Sequence, residues 1–294
     1  MISSHSGLVL LNKPQGITSF RVLNSLKKQL NSGKVGHTGT LDKFAEGLML
    51  VLTGKMTKLA PYFTNMDKEY MATFKFGEET TTLDPEGEII AKADIPTIEI
   101  IQENIHLFFG EIMQRPPDFS AIHINGKRAY KLAAAGEKPE IPKRPVTIYN
   151  YDIESWNPPF LSVKVKCSKG TYIRSLARDL GSACNSRAYV SALKRTEVGD
   201  WKIADSVIPD LFNPDIHIVT GKNLFNLLGS INILTVDSIQ SEKILKGYPI
   251  NIWIDKLIKP PQGYSAVFDG NDIFLALIEN NNGKYSYKFV QDRS

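Results

Sequence analysis

The sequence predicts an α+β fold around an extended mixed or largely antiparallel sheet. Residues 68–76, KEYMATFKF, alternate, with Tyr70, Ala72, Phe74 and Phe76 on one face and Met71, Thr73 and Lys75 on the other, as in a half-buried strand. Residues 161–168, LSVKVKCS, repeat the pattern with Leu161, Val163, Val165 and Cys167 inward. Helical stretches fall around these strands without the regular rhythm of a doubly wound parallel sheet.

Along the chain, LVLL at 8–11 reads as a short buried strand and NKPQG as a turn through Pro14 and Gly16. A helix follows with Ser19 as its N-cap. It carries Phe20, Leu23, Leu26 and Leu30 on one side and has Gly33 just beyond its end. TYIRSLARDLG, from 171, reads as a helix ended by Gly181, with Ile173, Leu176, Ala177 and Leu180 buried and Arg174 and Arg178 side by side on another face. Residues 126–146 combine a short helical patch with a basic, proline-rich tail and read as a clamp-like excursion from the core. Near the end, DSIQSEKILKGYPI reads as a helix stopped by Gly247 and Pro249, and a β-meander follows with turns at Asp269-Gly270 and Asn282-Gly283. The expected division is a domain over 1–234 and a small, mostly β domain over 235–294.

The composition of the 294 residues, 42% apolar and 22% charged, is that of a soluble globular protein, and no run approaches a membrane span. The N-terminal stretch lacks the basic start and long apolar core of a signal peptide. With only Cys167 and Cys184, two reduced cysteines in a cytoplasmic protein are expected. The net charge of +4 hides a strong asymmetry: residues 1–60 carry eight Lys/Arg and two Asp/Glu, and residues 161–202 carry nine and three. Residues 126–146 carry six and two, whereas 61–125 carry four and twelve. Basic blocks brought together by the fold would suit a polyphosphate backbone, and dispersed solvated charge is the alternative.

Elimination narrows the chemistry. The five histidines form no HExxH and there is no CxxC, so no metal site is expected. The nucleotide loop GxxxxGK[ST], the GxSxG elbow and the dinucleotide GxGxxG are all absent, so no cofactor is expected. What remains is GHTGTLDKFAEGLML at 36–50, a single carboxylate, Asp42, in a loop of glycines and hydroxyls. Either Asp42 caps a helix starting near Phe44, or it is a reacting group. Facing Arg174 through a bidentate pair, it would be a pinned, ionised nucleophile or base. Tyr70 is either ordinary core or a stacking platform for a flipped base, and His37 either a turn stabiliser or a filler of the space a base leaves.

LLNKPQGITSF, GHTGTLDKFAEGLMLVLTGKMTKL, PPDFSAIHINGKRAY, SKGTYIRSLARDLG and LKRTEVG occur in this order over roughly residues 7–200. Together they resemble the bacterial tRNA pseudouridine synthase B family, whose members act on uridine 55 of the tRNA T arm. The resemblance implies an α+β core on a mixed sheet, with 126–146 clamping RNA and a small PUA-like RNA-binding domain at the end. It puts Asp42 on the nucleophile, Arg174 on its ion-pair partner, and Tyr70 on the tyrosine that stacks on the target base, with Tyr70 or a water relay as the candidate base for the C5 proton. Tyr172 and Leu193 fall on the uridine pocket, and His37 on the histidine that helps extrude bases. Lys43 stands where proline is common, His123 replaces a frequent lysine, and an arginine is missing near Ala134. The implied partner is tRNA, bound by a cytoplasmic monomer without membrane, metal or cofactor. Two alternatives stay open: the same chemistry on another T-loop-like RNA, and a non-catalytic RNA-binding or RNA-folding protein. A glycosidase, pairing Asp42 with Glu46, lacks an aromatic saccharide platform.

Overall fold

The computed structural model describes residues 5–31, 33–124, 126–226, 228, 230–254 and 259–291. The first four residues, Asn125 of the IHINGKRAY block, and residues 255–258 and 292–294 of the expected second domain lie outside this set. Ten strands of the main sheet are β1 (Leu8–Lys13), β2 (Val35–His37), β3 (Glu46–Thr53), β4 (Lys68–Phe76), β5 (Gly110–Gln114), β6 (Arg144–Asn157), β7 (Phe160–Cys167), β8 (Ala188–Val198), β9 (Trp201–Lys202) and β10 (Ile218–Val219). Eight run in the order β10-β1-β3-β8-β4-β7-β6-β5, with β2 on β3 and β9 on β8. One pairing between these strands is parallel, at Lys194 opposite Glu46 and Arg195 opposite Gly47 on β8 and β3. The sheet is therefore mixed and largely antiparallel, as the alternating strands predict.

β4 and β7 turn Phe74, Phe76, Leu161, Val163, Val165 and Cys167 into one core, as their alternation requires, against Leu176, Ala177 and Leu180 of a helix. That helix, α2 (Ile173–Ala183), does not stop at Gly181; it ends two residues later, where Asn185 takes a positive φ of 53°. Gly181 answers a packing need instead, because a Cβ there would sit 2.6 Å from the Ala188 nitrogen. The first helix, α1 (Ser19–Gln29), is capped by Thr18 rather than Ser19, with the Thr18 hydroxyl accepting from the Arg21 N–H. Its buried face uses Val22, Leu23 and Leu26, whereas Phe20 is 67% exposed. The 126–146 excursion contains a helix over Ala129–Ala134, but its last residues, from Arg144, already belong to β6.

A second sheet is ordered β11 (Ile231–Thr235), β12 (Gly263–Phe268), β13 (Phe274–Asn281), β14 (Lys284–Val290). α3 (Ser238–Leu245) opens with a capping box between Asp237 and Gln240, and Asn282 and Gly283 turn β13 into β14 with φ of 51° and 82°. Phe268, Phe274 and Phe289 share one apolar cluster with Leu48, Leu50 and Phe63, so this sheet is seated on the back of β3. No helix among the described residues is long and apolar enough to cross a membrane.

The parallel seam is tight. Gly47 has a φ of +112°, and a Cβ on it would lie 2.3 Å from the Arg195 carbonyl oxygen. Gly47→Ala should lower stability by at least about 1–3 kcal/mol, the usual cost of a backbone so placed. Urea denaturation reads this directly, and an unchanged midpoint would contradict the account of the seam.

Candidate active site

Residues 38–45 link β2 to β3 and are fixed at nearly every step. Arg195 donates from Nη2 to the Gly39 carbonyl at 3.1 Å and from Nε to the Leu48 carbonyl at 2.7 Å. The Ser19 hydroxyl donates to the Leu41 carbonyl at 2.8 Å and accepts from the Leu41 N–H at 3.0 Å. The Gly16 N–H donates to the Lys43 carbonyl at 2.8 Å. Leu41 and Phe44 are buried on either side of Asp42, which anchors the loop by its apolar residues. No helix starts near Phe44, since the chain enters β3 at Glu46; Asp42 caps nothing.

Arg174, in the first turn of α2, lies off the apolar stripe; it is nonetheless only 4% exposed and points into the site. Its Nε lies 3.0 Å from Asp42 Oδ2, but without hydrogen-bond alignment. The pair is thus a single charge contact, not a bidentate fork. Arg174 spends its other nitrogens elsewhere: Nη1 donates to Asp84 Oδ2 at 2.9 Å and to the Thr82 carbonyl at 2.9 Å, and Nη2 to the Phe119 carbonyl at 3.0 Å. Asp84 itself is buried in a turn where Leu83 has a φ of 60° and the Glu86 N–H donates to Asp84 Oδ1 at 3.0 Å. One guanidinium therefore serves two carboxylates.

The side chain of Asp42 is 38% exposed, and it faces a cavity of about 810 Å³. Burial pushes its pKa above the ordinary aspartate value; Arg174 and Lys13 pull it down, and the Asp84 and Glu86 charges raise it further. Tyr70, Tyr172, Arg174 and Leu193 line the same cavity. Tyr70, opposite Val165 on one side and Arg195 on the other, is 9% exposed, and burial raises its hydroxyl pKa. Tyr172 is clamped by Gln114, whose Oε1 accepts from the Tyr172 N–H at 2.8 Å and whose Nε2 donates to its carbonyl at 3.1 Å. The Arg144 guanidinium lies 5.1 Å from the centre of the Tyr172 ring.

Five of the six expected residues thus meet in one place. His37 does not line the cavity; it closes β2, with Nδ1 buried and unpartnered among the described residues. Burial and the Arg195 charge lower its pKa, which favours the neutral ring. Sequence reasoning missed Asp84, Arg195, Gln114 and Lys68. Lys68 was within reach, because it shares the Tyr70 face of β4 by simple alternation. It also lines the cavity, and burial lowers its pKa to about 8. Of the departures, Lys43 pairs with Glu86 at 2.6 Å, His123 lies exposed in a two-residue strand, and Ala134 ends the Ala129–Ala134 helix.

Solved structures share this architecture. "Crystal Structure of a Cbf5-Nop10-Gar1 Complex" contains a chain matched with a TM-score of 0.68 at 22% identity, over 99% of this chain and 85% of that one. A family profile described as "TruB family pseudouridylate synthase (N terminal domain)" matches residues 27–173. The protein named tRNA pseudouridine synthase B from Borreliella afzelii (strain PKo) is 46% identical over 298 residues, 97% of this chain and 99% of the relative. The protein of the same name from Francisella philomiragia subsp. philomiragia is 39% identical over 296 residues, 98% and 96% of the two chains. Fold and sequence together define a pseudouridylate synthase. Within that class, the chain belongs to the TruB family.

Asp84→Ala should destabilise the protein by about 3–5 kcal/mol, the cost of removing one partner from a buried ion pair. Urea denaturation measures it, and a loss below about 1 kcal/mol would show that Arg174 does not depend on Asp84.

Proposed function

We propose that this chain is a tRNA pseudouridine synthase that isomerises uridine 55 in the T loop, with Asp42 as the reacting carboxylate. The observation that carries the reading is Asp42, in contact with Arg174 and open to a cavity that Tyr70, Tyr172 and Leu193 also line. The reaction breaks the N1–C1′ bond, turns the uracil, and joins C5 to C1′. Its net change is an isomerisation, which one well-placed carboxylate can initiate. Asp42 starts it either by attack at C1′ or by removing a sugar proton to give a glycal; both begin with the ionised form.

Reaching C1′ requires the uridine to leave the folded loop, at a cost of roughly a few kcal/mol. Stacking on Tyr70 offsets part of this, at about 1–3 kcal/mol per base. Because burial raises its pKa, Tyr70 supplies an apolar face and a donor more readily than a base. The C5 proton then leaves through a water relay. Tyr172 and Leu193 bound the uracil, and neutral His37 fills the space the base vacates in the RNA. Lys68, Arg144 and Lys169 line the cavity and suit the phosphates around it.

The same reading assigns catalysis to the main sheet, with 126–146 as an RNA clamp. It assigns RNA binding to a PUA-like second unit, whose sheet starts at Ile231. The T arm of tRNA as partner, action as a monomer, and a cytoplasmic location complete it.

The test is an unmodified tRNA transcript carrying tritium at C5 of its uridines. Release near one equivalent per tRNA is expected, lost with Asp42→Asn and with cytidine at the target. Tight, salt-sensitive binding without release would contradict the enzyme reading and favour a binding role. The pH profile adds a second check. Only the carboxylate acts and its pKa is raised, so the single-turnover rate should fall as pH drops through a value above the ordinary aspartate range. A rate that is flat down to the ordinary aspartate range would contradict this environment for Asp42.

A further inference from the structure

The loop carrying Asp42 touches the turn carrying Asp84 a second time, away from Arg174. Lys43 Nζ lies 2.6 Å from Glu86 Oε1. The Glu86 N–H donates to Asp84 Oδ1 at 3.0 Å, Asp84 Oδ2 accepts from Arg174 Nη1 at 2.9 Å, and Arg174 Nε lies 3.0 Å from Asp42 Oδ2. Since Asp42 and Lys43 are joined by a peptide bond, these contacts close a ring of five residues.

We propose that Lys43 is a positioning residue for Asp42, closing this ring through Glu86 and balancing the charge that Glu86 sets beside the reacting carboxylate. The proposal rests on Asp42 being that carboxylate. Its physical basis lies in how weakly the remaining contact constrains direction. The Arg174–Asp42 contact lacks hydrogen-bond alignment, so alone it fixes a distance and leaves the carboxylate free to pivot. A second attachment one residue away, to the same turn that holds Arg174, ties the loop beside Asp42 to that turn and narrows this freedom. The charges facing Asp42 are Arg174 and Lys13, which favour its ionised form, and Asp84 and Glu86, which oppose it. Arg174 already compensates Asp84. Glu86 is paired with Lys43, and with Lys43 gone its charge would act on Asp42 unbalanced. The Lys43 and Glu86 side chains are 52% and 40% exposed, so the pair is a modest interaction, and the expected effects are modest too.

The experiment is single-turnover tritium release at saturating enzyme across pH, together with tRNA binding across salt. Lys43→Met and Glu86→Gln should each slow the plateau rate by about three-fold, within the range such exposed pairs support. Their acid limbs should move in opposite directions: upward in Lys43→Met, where Glu86 is left unbalanced, and downward in Glu86→Gln, where a negative charge is gone. The charge-swapped Lys43→Glu/Glu86→Lys protein should recover most of the plateau rate that Lys43→Glu alone loses. A Lys43→Met protein with an unchanged plateau rate, weaker tRNA binding, and a salt slope reduced by about one would make Lys43 an RNA contact and overturn the proposal. A charge-swapped protein no faster than Lys43→Glu would also overturn it. Wild-type protein that releases no tritium overturns the reading of Asp42 and this proposal with it, whereas active wild type with unaltered variants overturns this proposal alone.

Discussion

The site depends on one guanidinium shared by two acids. Arg174 holds Asp84 through an aligned hydrogen bond in a buried turn and reaches Asp42 with the nitrogen left over. Asp84 and the Thr82 and Phe119 carbonyls fix the arginine in place, so Asp42 meets a cation whose position does not depend on Asp42 itself. That division separates structural from chemical work. The buried acid compensates the buried cation, and the acid facing the cavity keeps an open side. It also leaves Asp42 under opposing influences, burial raising its pKa and Arg174 lowering it.

The sheet brings these parts together through its parallel seam. Where β3 runs beside β8, Gly47 lets the Arg195 backbone approach, and the Arg195 side chain then reaches back to the Gly39 and Leu48 carbonyls. The loop bearing Asp42 is thereby fastened to the strand next to Tyr70, because Arg195 stands directly opposite Tyr70 on β4. Ser19 fastens the other side of the loop to α1 through both polar groups of Leu41. Of the glycines in this stretch, Gly47 is where another part of the chain comes close, and the rigidity of the loop comes from the Arg195 and Ser19 hydrogen bonds.

Period-two alternation revealed β4 and β7, down to the residues that face the core, because each strand is half buried and its pattern is local. Helical spacing found the buried stripe of α2 for the same reason. It does not show that Arg174 is buried, since the fate of a first-turn side chain is set by what lies beyond the helix end. Gly181 reads as a stop and Ser19 as a cap, but Gly181 answers a contact with Ala188 just past the helix and Ser19 one with Leu41 in the Asp42 loop. Asp84 stayed hidden within TTTLDPEGE, which reads as a polar surface turn until Arg174 arrives from 90 residues away. The resemblance supplied Asp42, Tyr70, Tyr172, Leu193 and Arg174 as a set. The fold gathers these five, while His37 stands outside the cavity.

The most direct measurement is a structure of the protein bound to a T-arm RNA hairpin carrying the target uridine. One nucleotide should be turned out of the loop into the cavity, its base against Tyr70 and its C1′ facing Asp42, with Arg174 still joined to Asp84. RNA bound elsewhere on the protein, with the uridine stacked in its loop and the cavity empty, would contradict it.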